Sequence, residues 1–420
     1  MEENYGEEHT PLERSEFNKN FMVFGAISST FFGIVILIYY ICKVTQSHSL
    51  PKEGQILNLT NFGAFGDFIG GFIGTLFSLA GIFFLYLTLK EQRENFNKER
   101  LENNFFEMIK FHRENVNELQ FSYYENKETK VTAEKRKVFK IIYSQFKELW
   151  EELNSVFKNT EIEGIYSTTY LNEVKAKNIF KDYKQLAQID IVYLIVFFGL
   201  GKEDIITIKT LFKNKYKEQF LENIILIAIL KPKRESKYWN QWIRINDIND
   251  FGIKCEIIKS FYEQRDDNLK LNPINDLFLN PQGKTVFYND YYEKYYGGHQ
   301  FRLGHYYRNI FQNINFINNQ IYLTYDEKYS YIKLLRVHFS NYEQILLFLN
   351  SISSIGRKWE LDNYDEINKG LITKYNLVKN IPNEKIINCI LAKDYYPLIN
   401  YEVSEINPLQ QRKKIIKKYK

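Results

Sequence analysis

The sequence predicts a mainly α protein, with an N-terminal two-helix transmembrane hairpin, then a long juxtamembrane helix and a large helical cytoplasmic domain. Three observations lead there. Two runs without a charged residue, 21–42 and 68–89, lie near the start of the chain. No glycine or proline falls between Gly81 and Gly164, so the second run can continue as one long helix. Strand-type alternation is scarce throughout, and no repeat of fixed period occurs.

Composition removes several classes. The chain has 420 residues, enough for two or three domains, and is 45% hydrophobic and 25% charged, as globular proteins are. With 8 Pro and 20 Gly it is neither collagenous nor low-complexity. Its three cysteines, Cys42, Cys255 and Cys389, are far apart, which excludes a disulfide framework and any CxxC metal pair. Mean hydropathy is −0.39, but the average covers an uneven chain. Residues 1–20 carry a net charge of −4 and residues 21–89 a net of 0, so the remainder carries +9 of the overall +5.

The elements follow in order. Residues 1–20 form an acidic tail. Each apolar run is 22 residues long, which as a helix reaches ~33 Å and suffices for a hydrocarbon core of ~30 Å. The spans are placed at 21–44 and 66–89, with a short outer loop at 45–65. A cleaved leader fits poorly, because the tail is acidic and the run too long. Lys90, Arg93, Lys98 and Arg100 follow the second span, and Arg14 and Lys19 precede the first. By the positive-inside rule both termini are cytoplasmic, with a short loop outside. Small residues recur every fourth position, at Gly25, Ser29 and Gly33 and at Gly66, Gly70, Gly74 and Ser78. Each set lies on one helix face where another backbone can approach. Packing within the hairpin and self-association into an oligomer are both open readings.

A helical stalk spans 90–160, with a second helical stretch from about Thr132 to Phe157. The domain at 161–420 follows. Its runs at 189–201 and 222–230 are too short to span a membrane and read as buried core helices. Residues 264–285 hold Pro273, Pro281 and Gly283 and read as an irregular connection. Ser340 with Glu343 makes a capping box, so a helix starts at about Asn341. In 295–317 the residues Leu303, Tyr307, Ile310, Ile314, Ile317 and Ile321 form one helix stripe, with His305 and Arg308 roughly opposite.

Several blocks together resemble phage abortive infection proteins of the AbiC type. They are GDFIGGFIGTLFSLAGIFFLYLTLKEQRENF (66–96), NNFFEMIKFHRENV (103–116), IDIVYLIVFFGLG (189–201), FRLGHYYRNIFQNINFI (301–317), LLRVHFSNYEQILLFLN (334–350) and ITKYNLVKNIP (372–382). The resemblance implies a bacterial two-span membrane protein with a helical cytoplasmic domain, acting in anti-phage defence. Similar two-span proteins serve as toxic effectors beside some retrons, which implies a regulatory partner such as a retron reverse transcriptase complex. It supplies no catalytic mechanism.

No phosphate loop, HExxH, GxSxG or local cysteine–histidine signature is present, and the residues imply neither a metal nor a cofactor. The pair Gly297-Gly298 lies in a tyrosine-rich turn and is not a dinucleotide loop. If the chain is an enzyme, the candidates are His305, Arg308, His299 and Arg302, with His112, Arg336 and His338 behind them. The spacers from Arg302 to His305 and from Arg336 to His338 are shorter than helical toxin ribonucleases of the HEPN group use. The tail 410–420 holds six positive charges in its last nine residues, suited to an anionic leaflet or to nucleic acid. The leading expectation is a membrane effector whose cytoplasmic domain controls a hairpin that disrupts the inner membrane on infection. The alternatives are a membrane-tethered nuclease or other toxic enzyme using the 299–308 region, and a non-toxic membrane scaffold.

Overall fold

The computed structural model describes residues 11–47, 63–64, 66–125, 128–176, 182–229, 231–235, 239–248, 253, 295–360, 370–387 and 389–402. The connection at 264–285, the basic tail at 410–420, Cys255 and most of the outer loop lie outside them. The described chain is mainly helical and divides into two units, residues 1–106 and 107–420.

The first unit is a pair of apolar helices. Helix α1 (Pro11–Ser47) begins with Pro at its first position, where the missing N–H costs no hydrogen bond. It therefore starts well ahead of the first apolar run, inside the stretch expected as a tail. A π-helical turn, Phe68–Ile73, leads into α2 (Gly74–Asn117). The apolar windows within 20–43 and 68–117 have mean hydropathies of 2.3 and 2.1, with 17% and 11% of them buried. A core helix of a soluble protein would be mostly buried. Here Phe24, Phe31, Ile82 and Leu85 point outward, each about 60–70% exposed. Both helices are thus long and apolar enough to cross a membrane.

The second unit begins on α2 and continues through a β-hairpin. Strands β1 (Gln120–Tyr124) and β2 (Lys130–Glu134) pair antiparallel, with Gln120 opposite Glu134 and Tyr124 opposite Lys130. The hydroxyls of Ser122 and Thr132 meet across the pair at 2.9 Å. The helix expected from Thr132 is therefore a strand at its start. Lys135, at φ 54°, makes the turn, and α3 (Lys137–Asn159) begins after it. The β-branched and aromatic residues at 121, 123, 131 and 132 favour the pleated form once they are paired.

The core forms around α5 (Tyr183–Phe198), whose residues from Leu186 to Phe198 are all buried, as the expected apolar run requires. Asp182 caps it by accepting from the Gln185 N–H. Around it lie α3, α6 (Lys202–Phe212), α9 (Gln300–Asn318) and α11 (Asn341–Ile352). Helix α4 (Thr168–Ala176) precedes α5, and α7 (Glu218–Ile229) and α8 (Trp239–Asn246) follow α6. Helix α10 (Tyr325–Val337) joins α9 to α11, and a short pair, β3 (Lys385–Ile387) with β4 (Ile390–Leu391), closes the described fold. The box at Ser340 and Glu343 starts α11 where the sequence places it. In α9 the stripe Leu303, Tyr307, Ile310, Ile314 and Ile317 is buried, but the helix ends at Asn318. Ile321 lies beyond that end and is 77% exposed.

His112, near the end of α2, is buried beside the rings of Tyr306 (5.2 Å) and Phe339 (5.5 Å). Neither ring nitrogen has a hydrogen-bond partner among the described residues. Burial, helped by the charges of His338 and Arg136, pushes its pKa down to about 4. The unfolded chain takes up this proton near the ordinary value of 6.5, while the folded chain resists it until about 4. Folding stability therefore falls as pH drops through this window, by about 1 kcal/mol per pH unit from this ring. His112→Leu is expected to unfold at a higher temperature than wild type at pH 5, with a smaller difference at pH 7.5. Parallel melting curves across that range would show that the ring is not the group responsible.

Candidate functional site

In the first unit the two small-residue faces have separate fates. Those of α1 face the hairpin interior. A Cβ on Gly25 would lie 3.2 Å from the Phe83 ring, and one on Gly33 would lie 3.4 Å from Phe77. Ser29 is buried, its hydroxyl donating to the Ala26 carbonyl at 3.1 Å. The second set does not take part. A Cβ on Gly66 or Gly70 meets nothing within 4 Å, and one on Gly74 meets only the Ile69 carbonyl of its own helix. Ser78 is exposed. The second run instead meets α1 through Phe68, Phe77 and Phe83, so among the described residues its glycine ladder forms an uncovered face.

In the second unit the site is organised by a close backbone crossing. Residues 295–299 run beside the C-terminal end of α5. The Leu200 N–H donates to the Tyr296 carbonyl at 3.1 Å, and the His299 N–H to the Phe197 carbonyl at 2.7 Å. Gly199 and Gly298 have φ of 93° and 80°, and a Cβ on Gly298 would sit 2.1 Å from the Phe198 carbonyl oxygen. The glycine pair therefore lets two backbones touch. Helix α9 starts from this crossing.

The four catalytic candidates fall into two cavities on either side of Phe301, which lines both. His299 and Arg302 belong to the first, of about 370 Å³. His299 is buried, and its Nε2 lies 2.7 Å from Gln145 Oε1 while its Nδ1 lies 3.3 Å from Arg302 Nη1. Arginine has no acceptor, so Nδ1 must accept and Nε2 must carry the proton that Gln145 receives. Burial, with the Arg302 charge beside it, pushes the His299 pKa down to about 3. His299 is thus a neutral ring with both nitrogens engaged, which suits it to orient Arg302 and not to exchange protons. Arg302 also donates from Nε to the Gln120 carbonyl (3.0 Å), and its guanidinium lies against the rings of Phe301 (4.0 Å) and Phe121 (4.7 Å).

His305 and Arg308 belong to the second cavity, of about 650 Å³, with Phe311, Lys358 and Trp359. Both are exposed, as their position opposite the buried stripe requires. Arg308 donates to the Gly304 carbonyl at 3.1 Å, and its Nη2 lies 3.4 Å from His305 Nδ1. Among the described residues no carboxylate lines this cavity. Arg336 and His338 stand elsewhere. Arg336 is buried and holds the carbonyls of Tyr375 and Asn376, while the His338 carbonyl accepts from Arg136. No group of His, Cys, Asp and Glu able to hold a metal occurs among the described residues.

Beside the first cavity, Lys231 is buried between two carboxylates of α3. Its Nζ donates to Glu148 and to Glu152, each at 2.7 Å, and lies 3.9 Å from the centre of the Tyr295 ring. Arg234 completes the group by donating to Glu148 Oε1 at 2.9 Å. The sequence reading did not single out these residues. Their signal was the basic run Lys231, Lys233 and Arg234 directly after an apolar core helix.

Residues 298–386 match the family model described as "putative phage abortive infection protein". The match makes this segment similar to abortive-infection proteins. It bears out the resemblance found in the sequence and supports a role in phage defence. The matched segment runs from Gly298 through α9, α10 and α11 into β3. It therefore includes all four candidates and the walls that Phe301 shares between the cavities. The similar blocks at 66–96, 103–116 and 189–201 lie outside it. No curated protein and no solved structure matches the chain.

Proposed function

We propose that the chain is a membrane effector of phage defence. In this reading α1 and the first half of α2 insert in the bacterial inner membrane with both termini in the cytoplasm. Copies then assemble through the glycine face of the second span to breach the bilayer on infection. The observation that carries it is the uncovered ladder Gly66, Gly70, Gly74 and Ser78, which the hairpin leaves unused. Helices in lipid associate by close packing, with no hydrophobic gain between them, so an open small-residue face is where a further helix fits best. The second unit, reached along α2, would hold the hairpins apart at rest. A regulatory partner such as a reverse transcriptase complex would set that state, and the basic tail would lie on anionic lipid.

The test is membrane potential, read with a voltage-sensitive dye in bacteria expressing the full-length protein and challenged with phage. Full-length protein is expected to depolarise cells before nucleic acid is lost. Gly70→Leu with Gly74→Leu is expected to abolish depolarisation while insertion is kept, because neither glycine touches α1. Gly25→Leu, which strikes the Phe83 ring, is expected to disturb the hairpin itself. Full depolarisation by the Gly70/Gly74 variant, or intact potential in dying cells, would sink the reading and favour a tethered enzyme.

A further inference from the structure

We propose that the cavity between the β1–β2 hairpin and the start of α9 binds a nucleoside phosphate, with the phosphates toward Lys130 and Arg302 and the base against the aromatic wall. Its lining brings four cations, Lys130, Lys233, Arg234 and Arg302, against one carboxylate, Glu235. Arg234 is already committed to Glu148. Lys130 and Arg302 have no carboxylate partner among the described residues, and Arg302 is held in place by His299 and the Gln120 carbonyl. A guanidinium fixed in this way keeps donors for an incoming anion without ordering cost at binding.

The second half of the argument is aromatic. Phe121 and Tyr123 present parallel rings, 6.1 Å apart and inclined by 9°, and Tyr295 and Phe301 line the same cavity. Phe301 is 68% exposed, so burial in the core does not account for it. Cations beside aromatic rings fit a ligand that carries both phosphate and a planar base. At about 370 Å³ the cavity lies in the range of small-molecule sites. The inference does not depend on the membrane reading, and either can fail alone.

The test is calorimetric titration of full-length protein in detergent micelles with ATP, GTP, CTP and UTP. Adenosine, tripolyphosphate and an oligo-dT strand serve as separate probes. At least one triphosphate is expected to bind more tightly than adenosine or tripolyphosphate alone. Phe301→Ala, at an exposed position, is expected to weaken it about tenfold through lost stacking. Lys130→Gln and Arg302→Gln are expected to weaken it at least as much, with unchanged unfolding temperature for Lys130→Gln. Absence of binding by all four triphosphates at millimolar concentration overturns the proposal. So does binding that none of the three variants weakens, or binding of oligo-dT alone.

Discussion

Lys231→Met is expected to destabilise the second unit by roughly 3–5 kcal/mol, the cost of leaving buried charges without their counter-ion. The Lys231 side chain is 2% exposed, and Glu152 beside it 11%. Burial holds the Glu152 carboxyl above the usual range, more than Lys231 lowers it. At Glu148 burial acts the same way but is outweighed by Lys231 and Arg234, so its carboxyl stays below that range. Without the lysine both carboxylates stand against each other with only Arg234 nearby. Glu152, already held up by burial, would then bind a proton more tightly folded than unfolded, so acid favours the folded variant. The deficit in unfolding temperature is therefore expected to be large at pH 8 and to shrink toward pH 5. Lys231→Met combined with Glu148→Gln and Glu152→Gln should recover much of the loss. A single variant that melts like wild type at pH 8 would show that the cluster contributes nothing.

The second large effect is expected at Asp190, which is fully buried on α5. It accepts from the Tyr216 hydroxyl at 2.8 Å, from the Ser354 N–H at 2.6 Å and from the Ser354 hydroxyl, with Arg357 Nη2 at 3.9 Å. Arg357 in turn donates to the Tyr170 hydroxyl. The two ends are unequal. Asp190→Leu removes the carboxylate beside a buried guanidinium and the acceptor of three neutral donors, and is expected to cost about 3–5 kcal/mol or to prevent folding. Arg357→Met leaves the carboxylate with all three neutral donors, and should cost less. Asp190→Asn, which keeps an acceptor, should fall between them and remain measurable by thermal unfolding. The double variant Asp190→Leu with Arg357→Met should lose less than the two single losses combined. Equal and additive losses would mean that the pair is not coupled.

These two clusters also mark what the sequence could not convey. Apolar periodicity exposed the two long apolar helices, the buried runs that became α5 and α7, and the α9 stripe, because those signals are local. The capping box at Ser340 and Glu343 is likewise a three-residue matter. Lys231 finds Glu148 and Glu152 across some 80 residues of chain, and Asp190 finds Ser354 across 164. No spacing rule links such partners. The β1–β2 hairpin was missed because its residues gain from the pleat only when paired. At the site, the sequence grouped His299, Arg302, His305 and Arg308 on one helix start but could not divide them. The division depends on Phe301 and on which strand and core helices stand on each side. The glycine ladders show the same limit, since spacing gave two faces and only packing tells which one the hairpin uses.

One consequence of α2 concerns timing along its axis. It is an unbroken helix of 44 residues, so it advances about 1.5 Å and turns about 100° with each residue, some 66 Å in all. Along an ideal helix the angular phase between two residues follows from their separation alone. One alanine inserted on the exposed stretch near Lys98 would swing the glycine face by about a quarter turn, whereas seven would bring it back to within about 20°. Insertions of different length would thus read out whether this rod works as a spacer, indifferent to phase, or as a crankshaft that must keep it.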